Sequence, residues 1–176
     1  MIATLLSPAF AADMGFTAGT STVEFHNYSS LHDFDGKAKA FSGRFDPATG
    51  AGELTIQTDS LTTFLGPRDA RLAGHCMEPA RFPTLTFRVA SVAGDTVALA
   101  AGMGNGSIRL VGELSIRDAT RAVEVSAAFA WEGANLRLKG RYDLKWGDYG
   151  VPDPSIVLST LYPDMNVTFD VLAQPR

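Results

Sequence analysis

Arg68, Asp69 and Arg71 lie together in the run Pro67-Arg68-Asp69-Ala70-Arg71-Leu72, and they are the side chains best placed to do chemistry. Two guanidinium groups beside a carboxylate suit recognition of an oxygen-bearing head group, because arginine donates several hydrogen bonds from a planar fork. The same spacing suits a structural ion pair, Arg68 with Asp69, anchoring a helix to a rim. The two roles separate by experiment. A head-group role for Arg68 or Arg71 predicts weaker ligand retention without loss of stability, and an anchoring role predicts the reverse.

The neighbouring His75-Cys76-Met77 carries metal or haem donor atoms, but adjacent residues seldom converge on one ion and no second histidine cluster accompanies them. Asp148 and Asp153 flank Tyr149 in a Gly/Pro-rich stretch without a partner base, which reads as turn formation rather than acid–base work. Gly102-x-Gly104-x-Gly106 precedes a strand rather than a helix and reads as a hairpin loop. No nucleophile triad, zinc spacing or phosphate-binding loop is present. The expectation is a non-catalytic protein with no metal site and no cofactor.

The elements that must position these residues read as strands. In 123–131 the odd positions carry the larger apolar side chains. In 135–146, Leu136, Leu138, Tyr142, Leu144 and Trp146 share one face, and Arg137, Lys139, Arg141, Asp143 and Lys145 share the other. That period of two puts one face on a core and one in water. It recurs in Ile108-Leu110-Gly112-Leu114-Ile116, Leu54-Ile56, Leu85-Phe87-Val89 and Met165-Val167-Phe169-Val171, with Val23-Phe25 and Phe41-Gly43-Phe45 as early strands. Turn residues punctuate the runs at 46–50, 94–95, 102–106, 133 and 152–154. About eight or nine strands result. The helix signal is confined to 67–79, where Leu72, Cys76 and Met77 fall on one side, and to a short helix around 30–33. An antiparallel sheet of this size removes its edges by closing, and eight strands enclose a space that side chains fill or one ligand occupies. The period alone leaves a β-sandwich open as well.

A chain of 176 residues, 45% apolar and 19% charged, suffices for one folded domain with a sizeable core. Its formal net charge of −4 argues against a nucleic-acid partner, which requires a basic face. No apolar run approaches the roughly 18 residues of a membrane-spanning helix. Residues 1–12, ending in Ala9-Phe10-Ala11-Ala12, read as the remnant of a secretory signal peptide, leaving 13–176 as the mature domain. Lone Cys76 reads as a buried small hydrophobe.

Residues 60–87, SLTTFLGPRDARLAGHCMEPARFPTLTF, resemble the signature of the YceI-like family. So do, in order, Ser21-Thr22-Val23-Glu24-Phe25, Phe34-Asp35-Gly36, the segment 41–47, the segment 112–123 and Lys145-Trp146-Gly147-Asp148-Tyr149-Gly150-Val151. Asp118-Ala119, where a His-Gly or Asn-Gly turn is usual, and Gly74-His75-Cys76-Met77 depart from the pattern. The resemblance implies an eight-stranded antiparallel lipocalin-like barrel with a short lid helix, located in the periplasm or secreted. Its implied partner is an isoprenoid lipid, a polyprenyl chain or an isoprenoid quinone, held in the interior. Transient membrane contact and a homodimer of facing barrels are compatible with it.

The inward faces would then offer Phe25, Phe41, Phe45, Ile56, Phe87, Leu110, Leu114, Phe129, Trp131, Leu138, Tyr142 and Phe169 to the ligand, with Arg68, Leu72, Met77 and Phe82 at the mouth. The alternative expectation is a stress-response or partner-binding module that uses a filled barrel as a scaffold. Composition does not separate hollow from filled.

Overall fold

The structure, a computed structural model, describes residues 13–176, so the expected signal-peptide remnant at 1–12 lies outside the described residues. Eleven strand segments form one sheet: β1 (Met14–Thr17), β2 (Thr22–Ser29), β3 (Phe34–Ala38), β4 (Phe41–Phe45), β5 (Gly52–Gln57), β6 (Leu61–Thr62), β7 (Thr84–Gly94), β8 (Asn105–Ile116), β9 (Ala119–Glu132), β10 (Asn135–Lys145) and β11 (Leu161–Pro175). Three pairs of short segments are halves of longer runs. β1 and β2 are interrupted at 18–21, β3 and β4 at 39–40, and β5 and β6 by a 3₁₀ turn at Thr58–Ser60.

Backbone hydrogen bonds bridge the interruptions, from Ala18 N–H to the Phe41 carbonyl (3.2 Å), Gln57 N–H to Ala40 (2.9 Å) and Lys39 N–H to Ser60 (3.1 Å). The breaks therefore align across neighbouring runs and make one bend in the sheet, where a flat ribbon could not close. Counted as continuous runs there are eight, each antiparallel to its neighbours. The last closes on the first through Met14 opposite Pro175 and Phe25 opposite Val167. The fold is an eight-stranded antiparallel barrel.

The alternation expected in β9 and β10 sets the inside. Val123, Val125, Ala127 and Phe129 are buried, with exposed residues between them. Leu136, Leu138 and Leu144 face the same interior, whereas Trp146 has left the strand for a short 3₁₀ turn (Trp146–Tyr149). A helix absent from the sequence reading, α2 (Thr96–Ala100), lies between β7 and β8. It drives Leu99 into one end of the barrel, where Leu99 is 1% exposed and its carbonyl accepts the Trp131 indole N–H at 3.2 Å.

The lid is helical, but differently from the expected 67–79. α1 (Gly66–Arg71) has Pro67 in its first turn. It continues as a π-helical stretch (Leu72–Met77) and ends at Glu78 in the left-handed conformation. The expected helix around 30–33 is a loop instead. There the Asp33 carboxylate accepts the Ser29 N–H (2.9 Å) and the Ser29 hydroxyl donates to the His32 carbonyl (2.6 Å). Such side-chain bonds to the backbone compete with helix formation.

Candidate functional site

The barrel is packed solid over one half and hollow over the other. In the half beside α2, inward side chains press together: Leu110 on β8, Phe129 on β9, Leu138 on β10, Val171 on β11, and Phe41 and Phe45 on β4 are each under a tenth exposed. In the half beneath α1, side chains of the same chemical type on the same faces remain only partly buried. Phe25, Leu54, Ile56, Phe87, Leu114, Tyr142, Val167 and Phe169 are all of this kind. They surround a cavity of about 620 Å³, within the range of small-molecule sites.

Two glycines in this half seat aromatic rings against the wall. Gly36 is the cross-strand partner of Phe25, and Gly140 of Phe169. Each phenyl ring lies across its glycine so closely that a Cβ there would collide with it. The rings thus lie along the wall instead of filling the lumen.

The lid closes much of the mouth. Leu72, Cys76 and Met77 face the cavity, as their spacing suggested. Cys76 is 2% exposed, and burial pushes its thiol above the ordinary pKa, so it stands as a neutral, essentially apolar wall. His75 turns away and meets the Asp153 carbonyl at 3.0 Å. Gly74 has open space where a Cβ would stand and lies in the π-helical stretch, outside the left-handed region. Gly74→Ala should therefore raise stability by up to about 1 kcal/mol, to be read as a higher urea midpoint with an unchanged slope.

The polar residues of the lid divide their roles. Asp69 does anchor it, but Arg68 is not its partner. The carboxylate accepts hydrogen bonds from the Thr62 hydroxyl (2.6 Å), the Thr63 N–H (2.7 Å) and the Thr63 hydroxyl (2.6 Å). Arg71 straps the lid to the loop before β11, donating to the carbonyls of Pro154 (2.9 Å) and Ser155 (2.8 Å). Arg68 makes no hydrogen bond among the described residues, and its guanidinium lies 4.0 Å over the Phe34 ring on the cavity wall.

Sequence reasoning missed Arg117, in the tight turn between β8 and β9. Its guanidinium bonds the Cys76 carbonyl and the Glu78 carboxylate, tying the far end of the lid to the barrel. Its φ of 56° is unusual for a non-glycine residue.

Of the side chains expected to meet a ligand, nine line the cavity: Phe25, Ile56, Arg68, Leu72, Met77, Phe87, Leu114, Tyr142 and Phe169. Phe41, Phe45, Leu110, Phe129 and Leu138 belong to the packed half, and Trp131 packs against that core beneath α2. The Phe82 ring makes cation–π contacts with the guanidinium groups of Arg81 (4.9 Å) and Arg117 (4.7 Å) and is not among the cavity-lining residues. Around the mouth, Leu31, Phe64, Leu65 and Ile156 are apolar yet exposed.

The family model for the YceI-like domain matches residues 16–173. This chain belongs to the YceI-like family. Among solved structures, the YceI-like barrel is similar to a polyisoprenoid binding domain from Saccharophagus degradans implicated in plant cell wall breakdown, with a TM-score of 0.79 and 16% identity over 94% of this chain and 99% of that one. It is also similar to BcnA of Burkholderia cenocepacia, with a TM-score of 0.75 and 21% identity over 89% and 98% of the two chains. A YCEI protein of Campylobacter jejuni follows, with a TM-score of 0.66 and 19% identity over 84% and 88%. At these identities the likeness is one of fold. No curated protein matches the sequence.

Proposed function

We propose that this YceI-like barrel is a periplasmic or secreted binding protein that sequesters or carries an amphiphilic isoprenoid, either a polyprenyl chain or an isoprenoid quinone. The chain would lie in the hollow half and the polar end at the mouth. The observation that carries the reading is the split barrel, because one half encloses a cavity of about 620 Å³ walled by inward aromatic and aliphatic side chains. A barrel serving purely as a scaffold gains nothing from leaving those surfaces uncovered. The description of the Saccharophagus degradans domain as polyisoprenoid binding supports the choice of ligand class.

The cavity of about 620 Å³ corresponds to roughly twenty methylene-sized groups, taking each as about the volume of a water molecule. Each buried methylene favours binding by about 0.8 kcal/mol before association costs. Arg68, with its donors unused, is the rim residue for a head-group oxygen, while Arg71 is occupied in holding the lid.

Organic extraction of the protein purified from its native compartment, followed by mass spectrometry, tests the reading. A stoichiometric prenyl lipid is the expected result. Protein that carries no lipid and takes up none from prenyl-lipid vesicles would overturn it.

A further inference from the structure

The inward wall of the hollow half carries a polar side chain that no protein group partners among the described residues. Asn27 sits on the inward face of β2, opposite Met165 on β11 and Phe34 on β3. It is 8% exposed, it lines the cavity, and its side-chain amide makes no hydrogen bond among the described residues. Buried polar groups are almost always paired, because an unpaired one loses its bonds to water and receives nothing in return.

The comparable residues here obey that rule. Asn166 donates to Asp143 at 2.7 Å. Thr62 and Thr63 bond Asp69, Ser60 bonds the Gln57 carbonyl at 2.7 Å, and Ser21 accepts the Leu172 N–H at 3.0 Å. Thr58 Oγ1 and Arg117 Nε are enclosed without a partner among the described residues, and neither residue lines the cavity. Asn27 does line it, so a cavity occupant can reach its amide. Phe34, its cross-strand partner, carries Arg68 on its ring face and also lines the cavity.

We propose that Asn27 is the polar anchor of the ligand site, its amide N–H donating to a carbonyl oxygen in the head group of the bound lipid. The ligand class is then a carbonyl-bearing lipid such as a quinone, in preference to a hydrocarbon of the same shape. This inference rests on the lipid-binding reading above and adds the residue that selects among lipids. A site built to bond an oxygen discriminates strongly against an analogue lacking it, since its own polar group is then left unpaired.

The test compares retention of decylubiquinone and of chain-matched decylbenzene through gel filtration, quantified by mass spectrometry, in wild type, Asn27→Leu and Asn27→Asp. Leucine keeps the approximate volume without the polar group, and aspartate, held protonated by the apolar wall, keeps the shape and an O–H donor. Asn27→Leu should lose quinone retention by about tenfold, a typical effect of one lost buried bond, and Asn27→Asp should keep most of it. Asn27→Leu should hold decylbenzene as well as wild type does. Unchanged quinone retention in Asn27→Leu, or equal loss of quinone and hydrocarbon, would overturn the assignment of Asn27 while leaving lipid binding intact. If wild type retains neither probe, the lipid-binding reading falls and this proposal falls with it.

Discussion

Gly112→Ala should lower stability by about 3 kcal/mol or more, a larger loss than most single substitutions cause. Gly112 lies on β8 opposite a bulge in β7, where Val89 pairs with Gly112 and Ser91 with Val111, leaving Ala90 as the extra residue. The bulge brings the β7 backbone down onto the glycine. A methyl at Gly112 would overlap the Arg88 carbonyl oxygen and stand 2.8 Å from its carbon and 2.9 Å from the Val89 Cα. These are backbone atoms held in a ladder, so no side-chain rotation relieves the clash and the two strands must part. Thermal unfolding should show a midpoint about 10 °C lower for a chain of this size. A fall of less than a degree would show that the bulge relaxes freely. Gly74→Ala, where a methyl meets open space, is the natural control.

Asp69→Ala should loosen the lid without dismantling the barrel. Three hydrogen bonds converge on that carboxylate from Thr62 and Thr63, at the point where the sheet hands over to α1. Losing them should cost about 2 kcal/mol, with two buried hydroxyls left unpaired. The effect should be seen first as faster hydrogen exchange across the lid.

The pH dependence has a defined sign. Burial pushes the Asp69 carboxyl up, but the Thr62 and Thr63 bonds, aided by Lys39, outweigh it and hold the group below the ordinary carboxylate range. A depressed folded-state pKa gives stability that is fully present above the unfolded value, about 3.9, and is lost as pH falls through the folded value. Lid exchange in wild type should therefore accelerate as the pH drops below about 4. Asp69→Ala should be fast throughout and lack that acid-induced step. A variant that keeps the wild-type acid response would place the anchor elsewhere.

Much of the barrel can be read from residue order, and the reasons are local. Leu136, Leu138, Tyr142 and Leu144 alternate with charged residues, and one face buried against one in water is what such alternation means. Even Gly140, which breaks the apolar series, is explained by its neighbour, because the Phe169 ring covers the space its missing side chain leaves. The boundary between packed and hollow halves is not local in this way. Leu138 and Tyr142 share a strand and a face, yet one is buried in the packed core and the other lines the cavity. What separates them is depth below α2, and α2 sits between two clusters of turn residues that gave no helix signal. The anchoring of the lid was hidden for a similar reason. Asp69 stands next to Arg68 in sequence, but successive helix positions point in different directions. The carboxylate meets Thr62 and Thr63 while the guanidinium swings over Phe34.

The packed half carries a consequence for the barrel when its cavity is empty. Met14, Phe45, Leu99, Phe129, Leu136 and Ala173 bury their side chains against one another without help from any occupant. An empty cavity therefore leaves wall, not core, uncovered, and the packed half keeps its structure. Substitutions around the hollow half are correspondingly free to reshape the cavity, because the part that keeps the chain folded lies at the other end of the same strands.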